Sequence, residues 1–301
     1  MVTKDSKSVN RKTKQDDRLE SESAWLNRAA RVLARTGVAN AGWESAYLLA
    51  HVLKTTPGRL ALGADRPLSP ARRRRADALL GARARRIPLQ YVLGDEYFGG
   101  LHIRVGPGVL IPRPETNLLF ESALARIAGP RNGPVADLGT GSGALALAMA
   151  AARTGVEIYG TDLSAQALLW ARRNRKALHL HRVRFYHGDG VAPLPKRLWG
   201  TFQMVLTNPP YVPSSEIRRL QPEVRREPRL ALDGGPDGLQ GIRRMTEGAA
   251  GILKPRGWML CEIGIHQAGQ TRSIFQACGF RIESIVKDWQ GIERILIGVK
   301  K

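Results

Sequence analysis

Cysteine is scarce in this chain. Its 301 residues hold two, Cys261 and Cys278, both in apolar stretches, which leaves no disulfide framework and no thiolate metal site to build on. Buried free thiols in a reducing cytoplasm are the plain reading. The six histidines form no spaced ligand cluster, so no metal is expected. Uninterrupted apolar runs of about 18 residues are also missing, so no membrane-spanning helix is expected. The opening stretch, MVTKDSKSVNRKTKQDDRLE, has no apolar core and does not read as a secretory signal. Its acids Asp5, Asp16, Asp17 and Glu20 argue against an organellar transit peptide. Residues 1–20 are expected to be a disordered, basic, solvated tail.

Acidic residues are the other shortfall: 26 Asp and Glu stand against 47 Lys and Arg, a net charge of +21. That balance points toward a polyanion, with a ribosome or nucleic acid the obvious candidate, but it is equally the imprint of an arginine-rich surface with no partner. The runs Arg72-Arg73-Arg74-Arg75 and Arg83-Ala84-Arg85-Arg86 fall on a predicted helix, where a solvated face is the default. A 43% hydrophobic and 24% charged composition is ordinary for a globular protein. The length suits one large domain with a small one beside it.

Periodicity divides the chain. Residues 22–36 read as an amphipathic helix stopped by Gly37, and a second helix runs over Trp43–Lys54. A third starts at Ser69-Pro70, an N-cap followed by proline at the first helical position, and is expected to end near Ile87-Pro88. Residues 21–88 thus form a small all-helical domain. Over 89–110 two β-rich runs flank Gly99-Gly100 and read as a hairpin linker. From 111 to 301 strands alternate with helices: Val135–Leu138, Val156–Thr161, Arg182–Tyr186, Gln203–Thr207 and Trp258–Ile263, the signature of a parallel sheet. Arg281–Lys287 and Arg294–Val299 have no helix between them and should close the domain as an antiparallel pair.

Chemistry concentrates at three strand ends. The segment PVADLGTGSGALALAMAAA is a strand, a glycine turn (Gly139, Thr140, Gly141, Ser142, Gly143) and a helix, built so that a ligand can lie against backbone N–H groups. Its G-x-G-x-G spacing departs from the dinucleotide fingerprint, so a cofactor without pyrophosphate fits equally well. Asp162 ends the next strand, where an acid accepts ribose hydroxyls; the competing reading is a helix N-cap. Asp189, with Gly190, closes the third strand where an adenine edge would lie, or is simple Asp-Gly turn chemistry. Asp137 either holds an ammonium group or braces the turn.

The fourth strand runs into Asn208-Pro209-Pro210-Tyr211, the most specific local feature. An amide nitrogen is a poor nucleophile, since its lone pair is delocalised into the carbonyl. The Asn208 side-chain oxygen and the Pro209 backbone carbonyl can each accept one of its N–H groups. Pro209 and Pro210 stiffen the turn before substrate arrives, and Tyr211 can lay its ring against the flat amide.

With RIPLQY at 86–91, Leu93-Gly94, VLIPRPET at 109–116, DLGTGSGALAL at 137–147, NPPY at 208–211, EPRLALDGGPDGL at 227–239 and Glu262-Ile263-Gly264, the chain resembles the PrmC/HemK protein-glutamine methyltransferases over residues 22–301. The resemblance implies a Rossmann-like, seven-stranded class I methyltransferase sheet in an α/β domain. It also implies S-adenosylmethionine held by Gly139 to Gly143 and Asp162, and transfer of its methyl to the glutamine amide of a Gly-Gly-Gln loop in a peptide-chain release factor. Asn208 to Tyr211 would hold that amide, the helical domain would grip the release factor, and Arg113 and Glu115 would brace the site. A cytoplasmic monomer is the implied setting. Some members carry an aromatic residue directly after the third-strand acid; this chain has Gly190, which leaves the adenine stacking surface unassigned. The alternatives are glutamine methylation of a ribosomal protein, adenine-N6 methylation of DNA, and a non-enzymatic RNA- or ribosome-binding protein. IPRPET favours the release-factor branch. Against DNA stands the lack of a separate target-recognition domain. The intact glycine loop argues against a decayed site.

Overall fold

The computed structural model describes residues 19–127 and 132–301. The tail expected over 1–20 therefore lies, as far as residue 18, outside the described residues. The chain forms two compact units, one ending at Arg86 and one running from Ile87 to Lys301.

Among the described residues the first unit holds four helices: α1 (Glu22–Arg35), α2 (Ala41–Leu53), α3 (Pro57–Leu62) and α4 (Pro70–Ala84). Ser21 and Ser69 cap α1 and α4 by accepting from Ala24 N and Arg72 N. Trp25, Leu33, Leu48, Leu49, Ala76 and Leu80 are buried, and the Trp25 indole donates to Asp77. α4 stops at Ala84, short of the expected Ile87-Pro88, because Arg86 adopts a left-handed conformation (φ 60°) that no helix continues. α3 was not expected, although Thr56-Pro57 is the same cap-and-proline signal as Ser69-Pro70.

The second unit opens with α5 (Leu89–Leu93) and the hairpin β1 (Asp95–Phe98) and β2 (Leu101–Arg104). Gly99 and Gly100 have φ of 55° and 83°, as a two-residue hairpin turn requires. Then come α6 (Thr116–Leu124), β3 (Val135–Leu138), α7 (Ala144–Ala152), β4 (Ile158–Asp162), α8 (Ala165–Ala177), β5 (Arg184–His187), β6 (Phe202–Thr207), α9 (Gln240–Ile252), β7 (Leu253–Glu262), α10 (Ala268–Ala277), β8 (Phe280–Lys287) and β9 (Glu293–Lys300).

One seven-stranded sheet results, in the order β5-β4-β3-β6-β7-β9-β8. β3 to β7 are parallel; β9 is antiparallel to both β7 and β8, so it alone runs backwards. Separate apolar layers cover the two faces, one built on α6, α7 and α8 with the hairpin, the other on α9 and α10. The chain winds from β3 outward through β4 to β5, then returns to place β6 on the other side of β3. That reversal opens a crevice beyond the carboxyl ends of β3 and β6, the place where open α/β sheets take ligands.

Candidate active site

Register decides what meets in that crevice. Leu138 on β3 pairs with Thr161 on β4 and with Thr207 on β6, and Thr207 pairs with Cys261 on β7. The next residue along each strand stands in a row at the strand ends: Asp162, Gly139, Asn208 and Glu262, of which the first three line the crevice and Glu262 is buried behind them. Neighbours in such a row sit about 4.8 Å apart. Thr207 Oγ1 donates to Leu138 O at 2.8 Å and ties the ends of β3 and β6 together.

The crevice, open mouth included, holds about 1010 Å³ of space. Gly139, Thr140, Gly141, Ser142, Asp162, Asp189, Gly190, Asn208 and Pro210 all line it. Gly143, Pro209 and Tyr211 are not among its lining residues. Gly143 (φ 79°) caps α7 against Phe185, and Pro209 lies against Gly241 of α9. The Tyr211 ring packs on Gly264, with its hydroxyl 3.5 Å from Glu262 Oε1. Burial pushes the Tyr211 phenol above its usual range, so it stays protonated at neutral pH.

The glycine loop is strung between two acids. Asp137, buried, accepts from Thr140 Oγ1 at 2.6 Å and from Ala146 N at 3.2 Å through one oxygen, which braces the turn. Burial pushes its carboxyl up to about 7. Asp162 accepts from Gly141 N and from Ser164 N, each at 2.8 Å. It is not the N-cap of α8; Ser164 is, accepting from Ala167 N. Asp162 therefore shapes the loop while lining the crevice, and burial raises its carboxyl as well. Gly139 and Gly141 have φ of 74° and 56°, and a Cβ on Gly139 would meet no atom within 4 Å: its open side is the crevice itself.

Sequence reasoning missed part of the lining. Asp189 is paired with Arg244 of α9 at 3.1 Å. Beside Gly190 lies Met245, whose sulfur would sit 3.8 Å from a Cβ there. Pro228, Leu230 and Ala231 form part of the wall, and so does Thr116. The surface beside Gly190 is thus sulfur and aliphatic carbon; Phe185 is buried beneath Gly143 and Gly160 instead. No local motif marks Arg244 and Met245, because a helix far along the chain brings them in.

Behind Asn208 runs a short chain of hydrogen bonds. Asn208 Nδ2 donates to Thr116 Oγ1 at 3.1 Å, and Thr116 Oγ1 donates to Glu262 Oε2 at 2.7 Å. Neither Asn208 Oδ1 nor the Pro209 carbonyl has a partner among the described residues. Nearby, Glu227 accepts from Ile111 N and from Arg113, bolting the 109–116 segment to the 227–239 segment.

Comparison with known proteins gives this arrangement a family. Residues 24–94 match the PrmC N-terminal domain and residues 115–223 the methyltransferase small domain. A release factor glutamine methyltransferase of Geobacter sulfurreducens is 39% identical over 267 residues, 88% of this chain and 92% of that one. One of Moorella thermoacetica is 38% identical over 92% of this chain and 97% of its own. The chain belongs to the release factor glutamine methyltransferase family. A methyltransferase structure from Pyrococcus furiosus, 20% identical, superposes with a TM-score of 0.50 over 67% of this chain and 89% of its own. That likeness concerns the fold alone, the class I methyltransferase sheet. Among the described residues no helix is long and apolar enough to cross a membrane, and no cluster of three potential metal ligands occurs.

Proposed function

We propose that this protein transfers a methyl group from S-adenosylmethionine to the side-chain amide nitrogen of the glutamine in the Gly-Gly-Gln loop of a peptide-chain release factor. The observation that carries the reading is the adjacency of Gly139 and Asn208 on paired strand ends, with two unpartnered acceptors at the Asn208 turn.

The residues fit the cofactor. Asp137, Asp162 and Asp189 place acidic groups around the crevice of a chain with net charge +21, which suits a sulfonium cation and its ammonium group. Gly139 and Gly141 leave backbone free to approach it, Asp162 is placed for ribose hydroxyls, and Met245 and Leu230 offer apolar surface beside Gly190. When bound, S-adenosylmethionine supplies an electrophilic methyl carbon.

The chain's own residues handle the nucleophile. Asn208 Oδ1 accepts one N–H of the glutamine amide and the Pro209 carbonyl the other. Two acceptors draw electron density toward nitrogen and fix its direction before reaction. Pro209 and Pro210 hold both acceptors in place, since proline φ is set by its ring. Tyr211 props the turn. Attack by nitrogen leaves the methylated amide as an N-protonated cation, which is strongly acidic and sheds that proton to water, so no strong base is required. The helical unit contributes to gripping the release factor, and the reaction belongs in the cytoplasm.

Incubating the protein with labelled S-adenosylmethionine and, separately, a release factor, a ribosomal protein fraction and duplex DNA tests the choice of substrate. Label on the release factor is the expected result. Label on a ribosomal protein would move the reading to the related glutamine methyltransferases, and label on DNA to adenine methylation.

A further inference from the structure

The two ends of an asparagine amide are almost the same size, so packing alone does not choose which end faces a ligand. Hydrogen bonds choose. At Asn208 the choice matters, because the amide-holding role needs the oxygen forward. A forward Nδ2 would set donor against donor.

We infer that Thr116 and Glu262 are positioning residues that fix the Asn208 amide with its oxygen toward the substrate. This rests on the glutamine-methylating reading above. The Thr116 hydroxyl has one proton. Glu262 Oε2, 2.7 Å away, takes it, because a carboxylate only accepts. Thr116 Oγ1 can then meet Asn208 only as an acceptor, and Nδ2 at 3.1 Å supplies the proton. The polarity therefore runs one way, from Asn208 through Thr116 to Glu262, and Oδ1 is left pointing out. The register supports the same reading: Glu262 follows Cys261, the partner of Thr207, so it stands beside Asn208 in the strand-end row.

A buried carboxylate is costly without purpose. Glu262 is almost wholly buried, and its immediate neighbours are Thr116, the Tyr211 hydroxyl and Cys261. The charged groups acting on it are Glu115 before α6, which disfavours its ionisation, and Arg294 of β9, which favours it while paired with Asp288. Burial dominates and pushes the carboxyl up to about 7. When Glu262 takes up a proton it becomes a donor to Thr116. The Thr116 proton is then free to turn toward Asn208, where it favours the reversed amide.

The test follows the Asn208 side-chain amide directly. In full-length protein carrying ¹⁵N-asparagine, the Asn208 NH₂ signal is identified by its loss in Asn208→Ala. It is then followed from about pH 6 to about pH 8.5 in wild type, Glu262→Gln, Thr116→Val and Thr116→Ser. Methyl transfer to release factor is measured on the same samples, and thermal melts establish that each is folded. In wild type the signal should shift with a midpoint near pH 7, and kcat should fall on the acid side of the same midpoint. Thr116→Val should abolish the shift and lower kcat roughly 10²-fold with cofactor affinity retained. Thr116→Ser should restore most of both, and Glu262→Gln should lose the titration. A flat wild-type signal, or a Thr116→Val protein with wild-type kcat, would overturn the positioning roles. If the Asn208 signal behaves as described but no variant methylates glutamine, the substrate reading fails and the amide polarity stands.

Discussion

Asn208 and Asp162 stand two strands apart in the row at the sheet edge, and their substitutions should separate cleanly. Asn208→Ala removes an acceptor for the substrate amide without touching the glycine loop. Turnover should fall by at least about 10²-fold, as for loss of a comparable oriented hydrogen bond, while the cofactor Kd stays within a few-fold. Rapid-quench assays beside calorimetry measure both, and a fully active variant would remove Asn208 from amide holding. Asp162→Asn is harsher than its size suggests. Asp162 accepts from Gly141 N and Ser164 N with separate oxygens, and an asparagine turns a donor toward one of them. The cofactor Kd should rise by about tenfold or more, since the proposed charge-assisted hydrogen bond to ribose and the loop geometry would be lost together. An unchanged Kd would leave Asp162 with loop bracing alone. Both residues were legible in the sequence because each ends an apolar run at a strand terminus. Thr116 and Glu262 stood within legible motifs, yet their link to Asn208 was not: it joins residues separated by 92 and 146 positions.

At the level of elements, the strand-to-loop junctions carry the site, and β4 shows how tightly they are set. Gly160 lies two residues before Asp162, and a Cβ there would come within 2.6 Å of the Phe185 ring and 2.9 Å of Thr140 Oγ1. Gly160→Ala should therefore push β5 and the glycine loop apart. Expected are a loss of about 1–3 kcal/mol by urea unfolding, as for other overpacked cores, and a weaker cofactor Kd. An alanine variant with wild-type stability and affinity would contradict the tight packing of the glycine loop against β5. The five parallel strands were readable from alternating β-rich and helical patterns; Val135–Leu138 matches β3 at both ends, while the other four have ends misplaced by one to several residues, β7, for example, beginning at Leu253 and not Trp258. α5 was hidden inside the hairpin segment because a five-residue helix carries no full amphipathic period. The pairing of β8 with β9 was visible in the short turn between them. The insertion of β9 between β7 and β8 was not, because it depends on which sheet edge the returning strand finds free.

Across the whole molecule, most charge is basic and most buried charge is acidic. The Glu262 carboxyl sits at about 7 in the folded protein against 4.5 for an ordinary glutamate. A raised carboxyl contributes stability that is full below about 4.5 and is lost as pH climbs to about 7. Relative to wild type, Glu262→Gln should then gain stability progressively over that window and hold a constant advantage above it. The advantage is about 3 kcal/mol, from one pH unit per 1.36 kcal/mol. Urea unfolding near pH 5 and pH 8 measures it; an advantage that shrinks toward high pH would contradict the buried-carboxyl account. Net charge belongs to this scale as well, and it was the one strong sequence signal that the crevice does not explain. Its sign is opposite to what a cationic cofactor wants, so the acids of the crevice must act locally against the molecule's own field.

The proposed methyl transfer depends most on a carboxamide being held at the Asn208 turn. Mass spectrometry of the Gly-Gly-Gln peptide, after release factor is incubated with S-adenosylmethionine and either wild-type protein or Asn208→Ala, tests it most directly. The predicted result is one added methyl on the glutamine side-chain nitrogen with wild type and none with the variant. A methyl on any other residue, or equal modification by both proteins, would contradict it.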